Sequence, residues 1–347
     1  MIESIRVQNY RIFKDRRFDF DKQVNIVVGP NACGKTSLLE AILVSLVGSS
    51  YRAKEKDLIS KGNDWLRIES KNDGLDRIIK FTNTNEKTYE IENNKYKRLS
   101  SNLKEPVVLF EPNNLIMLTS SPDTRRSYLD NLLKQIDPLY KKNLSHYSRA
   151  LIQRNHLLKN ININLKDQLF PWNMRITQLA EEIVKRRTDF INEINPVLNL
   201  NYREISNSKL NIKIKYQSSV NEVNYSTKML DELENNFVQE LNQGFTSVGP
   251  HRDDFTLYFE DNLATLFASR GELRSAMLSL KVTEVNILEK YLFKKPTLLL
   301  DDVFSELDSN RRHALTNLIK KHQSFITTTD ADIASKEFKG HCKVIEL

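Results

Sequence analysis

Two cysteines, Cys33 and Cys342, are all that the 347 residues contain. That excludes a disulfide scaffold and a cysteine-based metal cluster, and it fits a reducing cytoplasm. No apolar stretch approaches the roughly 20 residues that a membrane helix needs; the longest, interrupted by Ser45, runs only from Ala41 to Val47. No membrane partner is therefore expected. The residues after Met1 start a strand-like pattern instead of a basic, apolar, small-residue succession, so no targeting segment is expected either. Internal repeats and low-complexity linkers are also missing. What is present is 39% apolar and 28% charged residues, enough for a packed core and too apolar for extensive disorder. The length suits two domains, or one domain carrying an insertion. Lys and Arg exceed Asp and Glu by 52 to 45, a mild basic excess that is compatible with nucleic acid without identifying it.

Strand signals open the chain at Ile2–Val7, Arg17–Phe20 and Val24–Val28, the last an apolar, β-branched run of the kind buried in parallel sheets. Gly29-Pro30-Asn31-Ala32-Cys33-Gly34-Lys35-Thr36 follows, then an apolar helix from Ser37 to about Val47, closed by Gly48. Residues 65–97 alternate as small hairpins, and Val107–Phe110 reads as another buried strand. From Thr124 to about Phe190 the pattern is helical. Asp137-Pro138 reads as an N-cap with proline at the first helical position, Pro171 as a break, and Asn195-Pro196 as an end. Alternation returns at Leu210–Tyr216 and at Phe255–Phe259. The last hundred residues read helix 272–290, strand 297–300, helix 309–321 and strand 324–328. The fold class expected is α/β, split in sequence by a helical insertion.

Gly29-x-x-x-x-Gly34-Lys35-Thr36 satisfies the phosphate-loop pattern in its required strand–loop–helix context. Backbone N–H groups of the loop and the helix end would hold phosphates. Lys35 would reach the β- and γ-phosphates of ATP, and the Thr36 hydroxyl would ligate Mg²⁺. Leu298-Leu299-Leu300-Asp301-Asp302 reads as a strand whose end presents two carboxylates. Asp301 would position Mg²⁺ and Asp302 would polarise the attacking water. Ser269-Arg270-Gly271-Glu272 is a capping box, sufficient alone to start a helix; the same helix end could also face an anion. Cys33 reads either as a small residue tolerated in the loop or as a thiol activated by Lys35 and the loop N–H groups.

These motifs in this order, with Ser269-x-Gly271-x-x-Arg274 before a helix and Ser305-Glu306-Leu307-Asp308 after the carboxylates, resemble ABC-type ATPase heads. Asn9-Tyr10-Arg11, Ser50-Tyr51-Arg52, Phe110-x-Pro112, Pro122-x-x-Arg125-Arg126-x-x-Leu129-Asp130, Gln153-Arg154-Asn155 and Gly249-Pro250-His251-Arg252-Asp253-Asp254 are similar to one branch, the RecF family. The resemblance runs from Ile2 to Asp330. It implies an ABC-type P-loop head split into 1–120 and 201–347, with an α-helical lobe at 121–200. It further implies ATP and Mg²⁺ as cofactors, an ATP-dependent homodimer, DNA binding near single-strand/double-strand junctions, partners RecO and RecR, and RecA loading as the indirect outcome. Gly29 through Thr36 would bind ATP, with Lys35 and Asp302 catalytic. Ser269, Gly271 and Glu272 would act in trans on the partner's ATP, with Asp308 at the dimer seam. Thr327, Thr328 and Thr329 are assigned a γ-phosphate-sensing role. Asp302 stands where typical ABC heads carry Glu, so slow hydrolysis is expected. Arg270 and Glu272 stand where relatives commonly carry glutamine.

Between Thr124 and Lys166 nine basic residues face two acidic ones, an excess as large as that of the whole chain. Arg125, Arg126, Lys142, Arg149 and Arg154 are the DNA-contact candidates, with Lys14, Arg16 and Arg17 as a second patch; an ordinary solvated face is the alternative. Along the helix after Pro138, Tyr140, Leu144, Tyr147 and Leu151 form one stripe, and Lys142, His146, Arg149, Gln153 and His156 form another. Contacts there would go mainly to phosphates. Gly249–Asp254 holds too few ligands for a metal site and reads as a turn ordering a sheet edge. A transporter ATPase would need a Leu-Ser-Gly-Gly-Gln-type signature and a switch histidine, which are missing. A chromosome-organising SMC protein would need hundreds of heptad residues between Lys35 and Asp301, where much of the chain reads as strand.

Overall fold

The computed structural model describes residues 1–111, 114–160, 164–304, 307–329, 338 and 342–347. Pro112, Ser305, Glu306 and Asp330 of the sequence motifs lie outside them. The chain divides into two compact units, residues 1–114 with 284–347, and residues 115–283.

The first unit begins with β1 (Ile2–Tyr10), β2 (Phe13–Asp19), β3 (Val24–Val28) and α1 (Lys35–Val47). Four antiparallel strands follow, β4 (Trp65–Asn72), β5 (Leu75–Thr82), β6 (Lys87–Ile91) and β7 (Asn94–Tyr96), then β8 (Val107–Phe110). The hairpins expected at 65–97 are these strands, joined to β1 and β2 in a six-stranded sheet. Its inner face carries Ile5, Val7, Leu66, Ile68, Ile79 and Phe81, all buried in one core with the apolar residues of α1.

The second unit opens with the short α2 (Asn114–Thr119), α3 (Pro122–Ile136), α4 (Pro138–Lys159) and α5 (Leu165–Ser206). Asp137 caps α4, accepting from the Tyr140 N–H at 2.9 Å. Pro171 and Pro196 do not break the helix: α5 runs through both. A proline costs a helix interior about 3 kcal/mol, and here the buried stripe from Leu169 through Ile176, Ile183, Phe190 and Leu198 to Ile205 continues past each of them. Next come β9 (Ile212–Gln217), α6 (Tyr225–Asn235), α7 (Phe237–Gln243), β10 (Asp254–Phe259), β11 (Asn262–Leu263) and α8 (Ala264–Phe267). β11, β10 and β9 form a small antiparallel sheet with β9 at its edge. The Asn195 amide donates to Ile214 O at 2.9 Å and accepts from Ile214 N at 2.7 Å, while Asn199 Oδ1 accepts from Ile212 N at 2.9 Å. One helical turn apart, the two asparagines cover the exposed strand edge. Because this sheet belongs to the same unit, the insertion extends to residue 283 and not to 200.

The chain returns along α9 (Arg270–Leu292) to the first unit, with β12 (Thr297–Asp301), α10 (Ser309–Ile319), β13 (Ser324–Thr328) and β14 (Lys343–Glu346). These strands complete a parallel sheet of order β14-β3-β13-β12-β8. Val24, Ile26, Val27, Leu298, Leu299, Leu300, Phe325 and Ile326 are buried, as strands covered on both faces must be.

Candidate nucleotide site

β13 lies between β3 and β12, so the carboxyl ends of these three strands come side by side, where ligands bind in open parallel sheets. The loop after β3 closes on itself. Lys35 Nζ donates to Gly29 O at 2.7 Å and to Pro30 O at 2.9 Å. Ala32 and Gly34 take positive φ, 66° and 107°, which turns successive N–H groups inward as anion-binding loops do. A Cβ at Gly34 would lie 2.6 Å from Ile12 Cδ1 and 2.9 Å from Phe13 Cζ, so only glycine fits there. At Gly29 a Cβ would meet Cys33 Sγ at 2.6 Å. The α1 N-terminus has no side-chain cap and no acidic residue in its first turn. By contrast, Asp137 caps α4 and Asp308 caps α10. Other helices, α3, α5, α6 and α7 among them, also start without a side-chain cap; at α1 the uncapped donors follow the Gly29–Gly34 loop, where an anion can meet them.

Asp301 joins the strand ends. Its Oδ1 accepts from the Thr36 hydroxyl at 3.0 Å and from the Thr327 hydroxyl at 2.8 Å, and Thr327 Oγ1 in turn accepts from Asp302 N at 3.0 Å. The Thr36 hydroxyl and the Asp301 carboxylate are paired hard oxygen donors, the set that suits Mg²⁺, so the residues present fit both ATP and its metal. Asp302 follows at the strand end with φ 51°. Thr327 is fully buried and its hydroxyl is committed to the two aspartates, which corrects its assignment as a phosphate sensor. Thr328 is buried as well, and Thr329 is exposed.

Sequence reasoning missed Glu40, although a lone acid inside the apolar run Leu38–Val47 signals buried partners. Its fully buried carboxylate accepts from Arg11 Nε at 3.0 Å, Arg11 Nη2 at 3.1 Å, Arg52 Nη2 at 3.2 Å and Ser50 Oγ at 2.6 Å. Burial alone would raise its pKa; the bonds from Arg11, Arg52 and Ser50 outweigh burial and hold it below the usual carboxylate range. Asn9-Tyr10-Arg11 and Ser50-Tyr51-Arg52 therefore converge on one helix residue. An open hollow of about 600 Å³, lined by Arg11, Ile12, Ser37, Arg52, Ala53 and Ile59, lies beside the start of α1.

In the second unit Ser269 and Glu272 close the expected box. Glu272 Oε2 accepts from Ser269 N and from Ser269 Oγ, each at 2.8 Å, and Glu272 N donates to Ser269 Oγ at 3.2 Å. Ser269 and Arg270 are exposed, and Gly271 is half-buried. Asp308 accepts from Arg311 N at 2.9 Å and pairs with its guanidinium.

Three of the five DNA-contact candidates serve the fold instead. Arg125 makes a two-pronged pair with Asp254 at 2.8 and 2.6 Å. Arg126 donates to Asp253 O at 2.6 Å and pairs with Asp123. Arg154, wholly buried, donates to Glu240 Oε2 at 2.6 Å, Thr246 Oγ1 at 2.8 Å and Asn173 Oδ1 at 2.7 Å. A charge withdrawn into such pairs cannot reach a phosphate, so the local excess counted from sequence overstates the basic surface. Lys142 and Arg149 are exposed on α4. Gly249–Asp254 is the structural turn it was read as. His251 Nδ1 accepts from the Tyr147 hydroxyl at 2.7 Å, and its Nε2 donates to Thr246 O at 3.1 Å. Asp253 accepts from Tyr216 at 2.5 Å and from Ser219 N at 2.7 Å. Burial, with Arg252, Arg126 and Arg154 nearby, pushes the His251 pKa down to about 4.

A loop of the phosphate-binding pattern, an acid-tipped strand one place further along the same sheet and a helical insertion between the two halves of the sheet unit define an ABC-type ATPase head. A family model described as an AAA domain matches residues 4–346. The chain is 33% identical to the DNA replication and repair protein RecF of Clostridium perfringens (strain SM101 / Type A), over all of this chain and 98% of that one. It is 34% identical to that of Agathobacter rectalis, over 96% and 93%. Among solved structures, the recombination mediator protein RecF with ATP, in the RecFOR pathway, superposes with TM-score 0.85 at 30% identity over 95% of this chain and 92% of that one. An SMC head bound to a winged-helix domain of ScpA shares the fold at TM-score 0.54 and 14% identity, over 96% and 91%. The chain belongs to the RecF family.

Proposed function

We propose that this chain is an ATP-switched DNA-repair protein that binds ATP with Mg²⁺, dimerises in that state and engages DNA near single-strand/double-strand junctions. The observation that carries the reading is the Thr36–Asp301–Thr327 hydrogen-bond chain, which couples the phosphate loop to both acidic residues at the end of β12. Loop residues Gly29, Pro30, Asn31, Ala32, Cys33 and Gly34 would cradle the phosphates, and Lys35 would exchange its two carbonyl partners for phosphate oxygens. Thr36 and Asp301 would hold Mg²⁺, which when bound neutralises charge on the β- and γ-phosphates. Arg11 and Arg52, fixed by Glu40, would border the rest of the nucleotide. Asp302 would orient the attacking water. Its carboxylate stops about one methylene short of a glutamate, so turnover is slow.

Ser269 and Gly271 would complete the site of a second copy, with Asp308 at the seam. To do so the Ser269 hydroxyl must turn its proton from Glu272 toward the partner's phosphate. Interaction with RecO and RecR, and through them with RecA, is supported by the membership of the family and by the RecFOR pathway named for the solved relative. Nucleotide titration tests the core of the reading. The wild-type chain should bind Mg-ATP, Lys35→Met should lose at least about tenfold in affinity, and Asp301→Asn should lose the dependence on Mg²⁺. Equal affinity in all three contradicts it, and fast turnover without DNA contradicts the role given to Asp302.

A further inference from the structure

His146, Arg149, Ala150 and Gln153 of α4, with Trp172 and Arg175 of α5, line an open, shallow hollow of about 250 Å³ in the second unit. It is smaller than the roughly 300–1,000 Å³ clefts that take a drug-sized ligand. Its surface is almost wholly apolar, with Trp172 and Ala150 beside the hydrocarbon parts of His146, Arg149, Gln153 and Arg175, two of whose side chains end in guanidiniums. No carboxylate lines it. Arg149 donates to its helix neighbour Ser145 at 3.0 Å, and neither Arg149 nor Arg175 is in an ion pair among the described residues. The arrangement differs from Arg125, Arg126 and Arg154, which acidic partners have drawn into the fold.

We infer that this hollow holds one unpaired base of single-stranded DNA, stacked on the Trp172 indole with Arg149 and Arg175 on the flanking phosphates. The inference rests on the DNA-binding reading above and deepens it. Charge complementarity selects a polyanion. An aromatic, apolar hollow that also has two arginines in its lining selects one with a flat, apolar face between its charges, which a nucleic-acid strand offers and an acidic peptide does not. A duplex keeps its base faces inside the stack, so only an unpaired base can lie on Trp172. Stacking of this kind tolerates any sequence. The site would therefore recognise the single-stranded side of a junction without reading it.

The chain has two tryptophans, so the full-length protein carrying Trp65→Phe leaves Trp172 as the sole indole. Its emission is followed in Mg-ATP during titration with oligo-dT, with a blunt duplex and with polyglutamate at one ionic strength. Oligo-dT should quench Trp172 and the other two should not. Trp172→Ala should weaken oligo-dT binding about tenfold with duplex binding unchanged, and Trp172→Phe, which keeps a stacking face in a folded protein, should restore most of it. Oligo-dT that binds without quenching and is indifferent to Trp172→Ala would overturn the site and leave DNA binding intact. Quenching by polyglutamate as strong as by oligo-dT would overturn it in favour of an acidic peptide. Failure of both DNA forms to bind would sink the DNA reading together with this site.

Discussion

A carboxylate inside an apolar helix is unfavourable unless it is paired, and Glu40 shows how the pairing is met: two arginines and a serine from segments far apart in sequence converge on it. The acid itself was legible in the sequence, but its partners were not, because spacing reports only near neighbours. Ser269 and Glu272 are the opposite case, since their spacing alone foretold the closed box. The same box sets a limit on the proposed dimer, because Glu272 brings negative charge to the place where a partner's phosphate would sit. Glu272→Gln keeps the box and removes that charge, so ATP-dependent dimerisation measured by sedimentation should become severalfold tighter. His251 makes a second prediction at this scale. Its folded pKa of about 4 lies below the ordinary 6.5, so between these values the unfolded chain binds more protons. Its contribution to stability is complete above pH 6.5 and is lost as the pH falls toward 4. Denaturant midpoints should fall across that window, and His251→Gln should flatten the fall.

Among the elements, the buried parallel strands β8 and β12 were the most legible, because continuous apolar runs ending in an acid leave little choice. α5 was misread at both prolines. Local rules place a helix end at each, but the stripe from Leu169 to Ile205 and the asparagine bonds to β9 outweigh the local cost. The basic face of α4 was half legible. Helical periodicity separated the buried stripe from the exposed one, yet it could not foresee that Arg154 would be drawn inside by Glu240 of α7. That pair gives the prediction for this scale. Arg154→Met leaves a buried carboxylate unpaired and should cost about 3–5 kcal/mol in chemical denaturation. Arg149→Ala should leave stability within about 0.5 kcal/mol while weakening DNA binding.

At the scale of the whole chain, the excess of seven positive charges is too small to classify the protein, and counting it within residues 124–166 gave a surface larger than the one that exists. Lys141, Lys142, Arg149, Lys159 and Lys166 remain exposed there, a smaller basic surface on the second unit that Arg175 extends beside Trp172, while the phosphate loop and the acids of β12 belong to the first. The proposed function links them through ATP-dependent pairing of two copies. Sedimentation velocity of the full chain, with and without Mg-ATP and gapped DNA, tests that link most directly, comparing wild type with Ser269→Arg and Asp302→Asn. The account predicts dimers only with ATP, none in Ser269→Arg, and longer-lived dimers in Asp302→Asn. A monomer under every condition, or a dimer indifferent to ATP and to Ser269→Arg, would contradict it.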